Sequence, residues 1–180
     1  MAKAKSVLFI GRFQPFHRGH LSVLEDAFKK FDFVIVGIGS SDKFRTLENP
    51  FTVGERHAMV KHTLEELKVK PNHYKVVPIP DIDDDANWVQ HVIKTCPNFE
   101  IVISGNSKVT ELFKRDSKKK VLAPKMKYRI SSTNVREAIS KGEPLIKYLH
   151  SAVISFLQKI GATQRIMEPL VQEAKEEKAS

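Results

Sequence analysis

The chain has 180 residues, enough for one domain with a sizeable core, and 41% apolar against 28% charged residues is a globular balance. No run approaches the ~20 apolar residues of a membrane span, and the opening MAKAKSVLFIGRF runs into Gly-Arg instead of a small-residue cleavage site, so it reads as a first strand and not as a secretory signal. The single cysteine, Cys96, excludes an internal disulfide and a cysteine metal cage and fits a reducing cytoplasm, while the net charge of +9 favours an anionic partner: nucleic acid, an acidic membrane face or a phosphorylated small molecule.

SVLFIG (6–11) is an unbroken apolar run closed by Gly, the pattern of a strand buried on both faces of a parallel sheet. Leu21, Leu24, Ala27, Phe28 and Phe31 follow at helical spacing. FDFVIVGIGS (31–40) is a second buried-strand run. NPFTVGERHAMVKHTLEEL opens on turn residues and continues as a helix from about Val53, with Thr52 and Glu55 at the spacing of a capping box. YKVVPIP predicts a third strand, ANWVQHVIKT a short amphipathic helix, FEIVISGN a fourth strand and VTELFKR another helix. In SSTNVREAISKG a Ser or Thr cap precedes a Val135–Ile139 stripe and a Gly142 stop. PLIKYLHSAVISFLQKI predicts one last amphipathic helix with Leu145, Leu149, Val153, Phe156 and Ile160 on one face. Residues 1–163 then form a single domain, and 164–180 a polar, frayed tail.

Four buried strands alternating with helices imply an α/β fold with an open parallel sheet, whose ligands bind beyond the C-terminal strand ends. The loop after the first strand, GRFQPFHRGH (11–20), carries the strongest signal. His17 and His20 lie three apart where a helix begins, beside unpaired backbone N–H groups and the positive end of the helix dipole. Two imidazoles there can donate to phosphate oxygens. Gly19 leaves room for close approach, and Arg12 adds a forked cation. Spacing alone also fits a surface pair or part of a metal site, although no sequence-near Cys, Asp or Glu supplies the third ligand that zinc needs. ISSTNVREAI (130–139) places Ser131, Ser132 and Thr133 at another helix start with Arg136 one turn in. Two anion-binding helix starts in one small sheet protein fit a polyphosphate held between them.

These segments resemble a known family. GRFQPFHRGH is similar to the HxGH signature of the α/β nucleotidyltransferases, and ISSTNVR to their second signature. IGSSDK, LENPFTVGER, IPDIDDDANWVQHV and VISGN resemble, in order and spacing, the blocks of archaeal-type nicotinamide mononucleotide adenylyltransferases, over roughly Val7 to Ile160. The resemblance implies a Rossmann-like sheet with helices on both faces, and transfer of AMP from ATP to nicotinamide mononucleotide (NMN) by direct in-line attack, giving NAD and pyrophosphate with Mg²⁺. It implies that His17 and His20 stabilise charge at the transferring phosphate. Arg12 and Arg136 would hold the triphosphate, with Gly11, Phe13, Gly19, Gly105, Asn106, Ser131, Ser132 and Thr133 on the ATP side. Ser40, Arg45, Phe51 and Trp88 would line the NMN side, Trp88 by stacking on the nicotinamide ring. It further implies a cytoplasmic homo-oligomer, often a hexamer, that binds neither nucleic acid nor membrane.

Departures from the family pattern are few. Glu48 stands where some relatives carry an Arg before Asn-Pro-Phe, which leaves Arg45 as the candidate for the NMN phosphate. Ser132 replaces a Gly and Ala138 a further Arg. Asp81, Asp83, Asp84 and Asp85 read as helix-start carboxylates, and no residue is assigned to a metal. The basic run 114–129 reads as a solvated loop whose field attracts ATP. Two other readings remain open: a different HxGH transferase (a cytidylyltransferase, or a pantetheine-phosphate or flavin mononucleotide adenylyltransferase), or a non-catalytic nucleotide- or nucleic-acid-binding protein.

Overall fold

The computed structural model describes residues 5–168. In chain order the elements are β1 (Ser6–Gly11), α1 (Arg18–Lys30), β2 (Phe33–Ile38), α2 (Val53–Glu66), β3 (Tyr74–Pro78), α3 (Trp88–Thr95), β4 (Ile101–Ile103), α4 (Ser107–Asp116), β5 (Lys120–Leu122), α5 (Ser132–Ser140) and α6 (Ser151–Lys159), with 3-10 turns at Pro71–His73 and Leu145–Lys147. The five strands form one parallel sheet in the order β3-β2-β1-β4-β5.

The unbroken apolar run of β1 follows from its central place. Side chains alternate across a strand, so Val7 and Phe9 enter one core while Leu8 and Ile10 enter the other. The first core is completed by α1, α2, α5 and α6 through Leu24, Met59, Val135 and Val153. The second is completed by α3 and α4 through Val89, Val92, Leu112 and Phe113. Helices therefore cover both faces of a Rossmann-like sheet. The chain winds outward from β1 to β3 and then returns to place β4 on the other side of β1. That reversal opens a crevice at the C-terminal ends of β1 and β4, the usual ligand position in such sheets.

Three expectations need correction. The sheet has a fifth strand: β5 lies inside the basic run, where three residues led by a lysine give no apolar pattern. The single last helix is broken. Leu145 sits on a 3-10 turn, and α6 starts only at Ser151, because the His150 Nδ1 accepts the Ala152 N–H at 3.3 Å and caps it there. Packed structure also runs past residue 163. Residues 162–168 are helical, and Ala162 and Ile166, four apart in a polar sequence, are buried in the first core. Residues 169–180 of the expected tail lie outside the described residues.

Because Ile166 is 6% exposed, Ile166→Ala is expected to cost about 2 kcal/mol or more. Urea denaturation checks this; an unchanged midpoint would return the segment to a frayed tail.

Candidate active site

The start of α1 is capped by its own histidines. His17 is the N-cap, and its Nδ1 accepts the His20 N–H at 3.3 Å. The His20 Nδ1 accepts the His17 N–H, also at 3.3 Å. This is a capping box built from two imidazoles in place of a hydroxyl and a carboxylate. The rings stack at a centroid distance of 3.5 Å and 17°. Phe13 meets His20 edge-on at 4.9 Å, and Phe16 stacks on it at 5.8 Å. Enclosure has an electrostatic result: burial pushes the His17 pKa down from 6.5 to about 4. Burial, and then the neighbouring His17, pushes His20 well below its ordinary value. At neutral pH both rings are neutral. Each Nδ1 serves as an acceptor, so each proton resides on Nε2. The site thus presents two neutral N–H donors at a helix N-terminus.

Gly19 has a different local reason from the one the spacing suggests. A Cβ there would lie 3.0 Å from the His17 ring and 3.1 Å from the Tyr128 carbonyl oxygen, so the missing side chain makes room for the imidazole. At Gly11 a Cβ would lie 3.0 Å from the Phe13 ring. Phe13 itself is buried with φ at 53°, the left-handed region that costs non-glycine residues about 1–3 kcal/mol.

The second signature docks onto the same loop. Arg136 Nη1 donates to the Gln14 carbonyl at 2.9 Å, and Ser132 Oγ to the Pro15 carbonyl at 3.4 Å. Burial, and next the charge of Arg12, lowers the Arg136 pKa, so the two guanidinium groups share one electrostatic neighbourhood. Arg12 pairs with Glu48 at 3.0 Å, with the side chains 53% and 74% exposed. An ion pair that open to water is worth at most about 1 kcal/mol, and an arriving phosphate can displace it. Other candidates have their side chains committed. Ser131 Oγ caps α5 by accepting from Asn134 N, Thr133 Oγ1 accepts from Arg136 Nη2, and Asn106 Oδ1 caps α4. Gly105 and Asn106 stand at the end of β4, across the crevice from Gly11.

The expected NMN side is less uniform. Ser40 follows β2 with φ at 46°. Trp88 opens α3, half-buried, its ring edge-on to Phe113 at 5.9 Å. Arg45 is paired with Glu168 at 3.1 Å. Phe51 is wholly buried in the first core, so its ring offers no surface to a ligand; its backbone N–H and carbonyl are instead held by the Gln14 amide at 3.0 and 2.9 Å. The acidic cluster does not cap α3: Asp84 accepts the Ala86 and Asn87 N–H groups at 3.0 and 3.1 Å in the turn ahead of the helix, while Asp81 and Asp85 pair with Lys43 and Lys108. Among the described residues no group of three or more His, Cys, Asp or Glu could hold a metal ion, and no helix is long and apolar enough to cross a membrane.

Two buried polar residues escaped the sequence reading. Gln14 joins α5 to the loop before α2 through the contacts above. Arg56 is 0% exposed. Its signal was present but easily passed over: Arg56 shares the buried stripe of α2 with Met59, Val60, Thr63 and Leu64.

Comparison with known proteins adds independent findings. The cytidylyltransferase-like family model matches residues 8–138. The chain is 42% identical over 164 residues to the nicotinamide-nucleotide adenylyltransferase of Pyrococcus furiosus and 39% identical over 163 residues to that of Thermococcus kodakarensis, covering 90% of this chain and 87% of the relative in both cases. A bifunctional NMN adenylyltransferase/ADP ribose pyrophosphatase from Francisella tularensis matches with a TM-score of 0.79 at 22% identity, over 96% of this chain. This chain spans only 54% of that longer protein. A nicotinic acid mononucleotide adenylyltransferase from Plasmodium falciparum matches with a TM-score of 0.61 at 15% identity, over 90% of this chain and 98% of that one. The two structural likenesses establish the fold.

Stability contributed by a neutral, buried His17 is complete above pH 6.5 and is lost as the pH falls towards about 4. The expected loss is on the order of 3 kcal/mol. His17→Asn keeps a capping oxygen and should make the acid limb of a plot of Tm against pH shallower, with the share of His20 remaining; a limb as steep as wild type would place the acid sensitivity elsewhere. Gly19→Ala should crowd the His17 ring and lower turnover with little change in Tm, which parallel assay and calorimetry would show.

Proposed function

The chain belongs to the cytidylyltransferase-like family and, within it, to the nicotinamide-nucleotide adenylyltransferases, and from that premise we propose that it transfers the adenylyl group of ATP to NMN, giving NAD and pyrophosphate. The observation that carries the reading is the reciprocal His17–His20 cap, with Arg12 and Arg136 converging beside it at the switch point of the sheet.

In this reading an oxygen of the NMN 5′-phosphate attacks the α-phosphorus of ATP. The new P–O bond forms as the bond to the bridging β-phosphate oxygen breaks, and pyrophosphate leaves with that electron pair. No covalent enzyme intermediate is needed. Cys96 is buried, and burial pushes its thiol up to about 11. The protein's work is positioning and charge stabilisation. His17 and His20 donate from Nε2 to oxygens that gain charge in the transition state. Arg12 exchanges Glu48 for phosphate, and Arg136 neutralises the leaving pyrophosphate from the start of α5. Trp88 presents its half-open indole to the nicotinamide ring. Mg²⁺ would enter with ATP and would offset charge on its phosphates, beside the donors that His17, His20, Arg12 and Arg136 supply. The same reading makes the enzyme a cytoplasmic homo-oligomer.

One assay tests the reaction: purified protein with Mg²⁺, ATP or CTP, and a panel of phosphorylated acceptors. NAD formed from ATP and NMN alone is the expected result. Another product assigns another transferase, and binding without turnover removes the enzyme reading. His20→Ala is expected to lower kcat about 100- to 1,000-fold while the ATP Kd shifts by less than about threefold. Equal losses in both would deny the histidines a transition-state role.

A further inference from the structure

Among the described residues Arg56 is a guanidinium with no solvent and no carboxylate in contact. It lies in the first turn of α2, 0% exposed. All its hydrogen bonds go to main-chain carbonyls of other segments or of its own cap. Nη1 donates to Arg12 at 3.0 Å and Gly39 at 2.9 Å. Nη2 donates to Ser40 at 3.0 Å, with Lys43 at 3.4 Å and Ser41 at 3.5 Å at the edge of reach. Nε donates to Thr52 at 3.3 Å. One side chain therefore ties the ends of β1 and β2, the loop that follows β2 and the cap of α2 into a single unit.

The segments it joins belong to different halves of the proposed site. Arg12 faces the triphosphate, and Ser40 stands on the NMN side. Burying a cation costs several kcal/mol, and carbonyls repay this only when nearly every donor is satisfied. A leucine or methionine would fill the same volume without that cost. The strained Ser40, φ 46°, sits directly on the guanidinium. Strain of this kind persists where surrounding contacts over-determine it. We infer that Arg56 is a positioning residue for adenylyl transfer, which sets the separation and angle between the two nucleotide halves without touching either substrate.

The inference rests on the reaction proposed above and makes a separate claim. In-line transfer depends on the approach of nucleophile and phosphorus, and a misplacement of about 1 Å can cost about 100-fold in rate. Binding of each nucleotide alone is less demanding. Arg56→Lys keeps the charge but loses the fork; Arg56→Gln keeps two N–H donors and removes the buried charge. Both are measured at 20 °C for folded fraction by circular dichroism, for kcat per folded molecule, and for the Kd of ATP and of NMN separately. The expected result is a kcat 10- to 100-fold below wild type in both variants, with each Kd within about threefold. Wild-type kcat per folded molecule in either variant overturns the inference, since only folding would then depend on Arg56. Should either variant be unfolded in buffer, the measurements are repeated in trimethylamine oxide, which strengthens burial. Failure of both to fold there also reduces Arg56 to a folding role and overturns it. Wild-type turnover, measured alongside, tests the reaction itself, so failure of one claim is distinguishable from failure of the other.

Discussion

The reciprocal hydrogen bonds between His17 and His20 govern the rest of the site. A helix start leaves four N–H groups without partners, and most proteins assign a hydroxyl or a carboxylate to them. Here the imidazoles do that work through Nδ1, at 3.3 Å in each direction. This fixes ring orientation, tautomer and stacking together. It also explains the neighbours. A side chain at Gly19 would press on the His17 ring at 3.0 Å. Phe13 and Phe16 flank His20 and cover part of its ring. A serine cap would hold the helix equally well and would leave no N–H donor pointing elsewhere.

Placement of that cap follows from the sheet. Because β4 returns beside β1, the β1–α1 turn faces the β4–α4 turn, and α5 reaches the same loop through Arg136 and Gln14. Two guanidinium groups near one another lower each other's affinity for protons, and Arg136 feels Arg12 in this way. The repulsion is tolerable because Arg12 remains half in water and rests against Glu48. In the proposed reaction an incoming polyphosphate would supply the missing negative charge to both. The surface ion pair holds Arg12 in place at small cost and gives way to a stronger partner.

Much of this was legible in the residues, and the failures share physical causes. Strands buried on both faces announce themselves as apolar runs, so β1 and β2 could be read directly. β5 could not, because an edge strand of three residues with a lysine carries no such run. Ser131 was readable as a helix-start residue, but a sequence does not say whether a cap's oxygen is spent on its helix or left for a ligand. The structure spends Ser131, and Asn106 as well, on the helix each begins, and Asp84 on the turn before α3. Phe51, expected to line the NMN side, has its ring in the core, since neighbourhood in sequence says nothing about inside and outside. Arg56 shows the converse. A charged residue on an apolar stripe reads as solvated until a cluster of carbonyls from distant segments is found around it.

Neutral histidines are an apparent weakness in a site for a polyanion, since cations would attract it more strongly. The two jobs are divided. Long-range attraction needs net charge, which the lysines and arginines of the chain supply (30 against 21 acidic residues). Short-range catalysis needs donors that stay in place and strengthen as charge develops. A cationic imidazole would bind ground-state phosphate tightly as well, which lowers KM without raising kcat. Its Nδ1 would also carry a proton, and the cap that holds it would be lost. Burial that keeps the pair neutral therefore preserves the helix start, and in the proposed reaction it would reserve the interaction for the transition state.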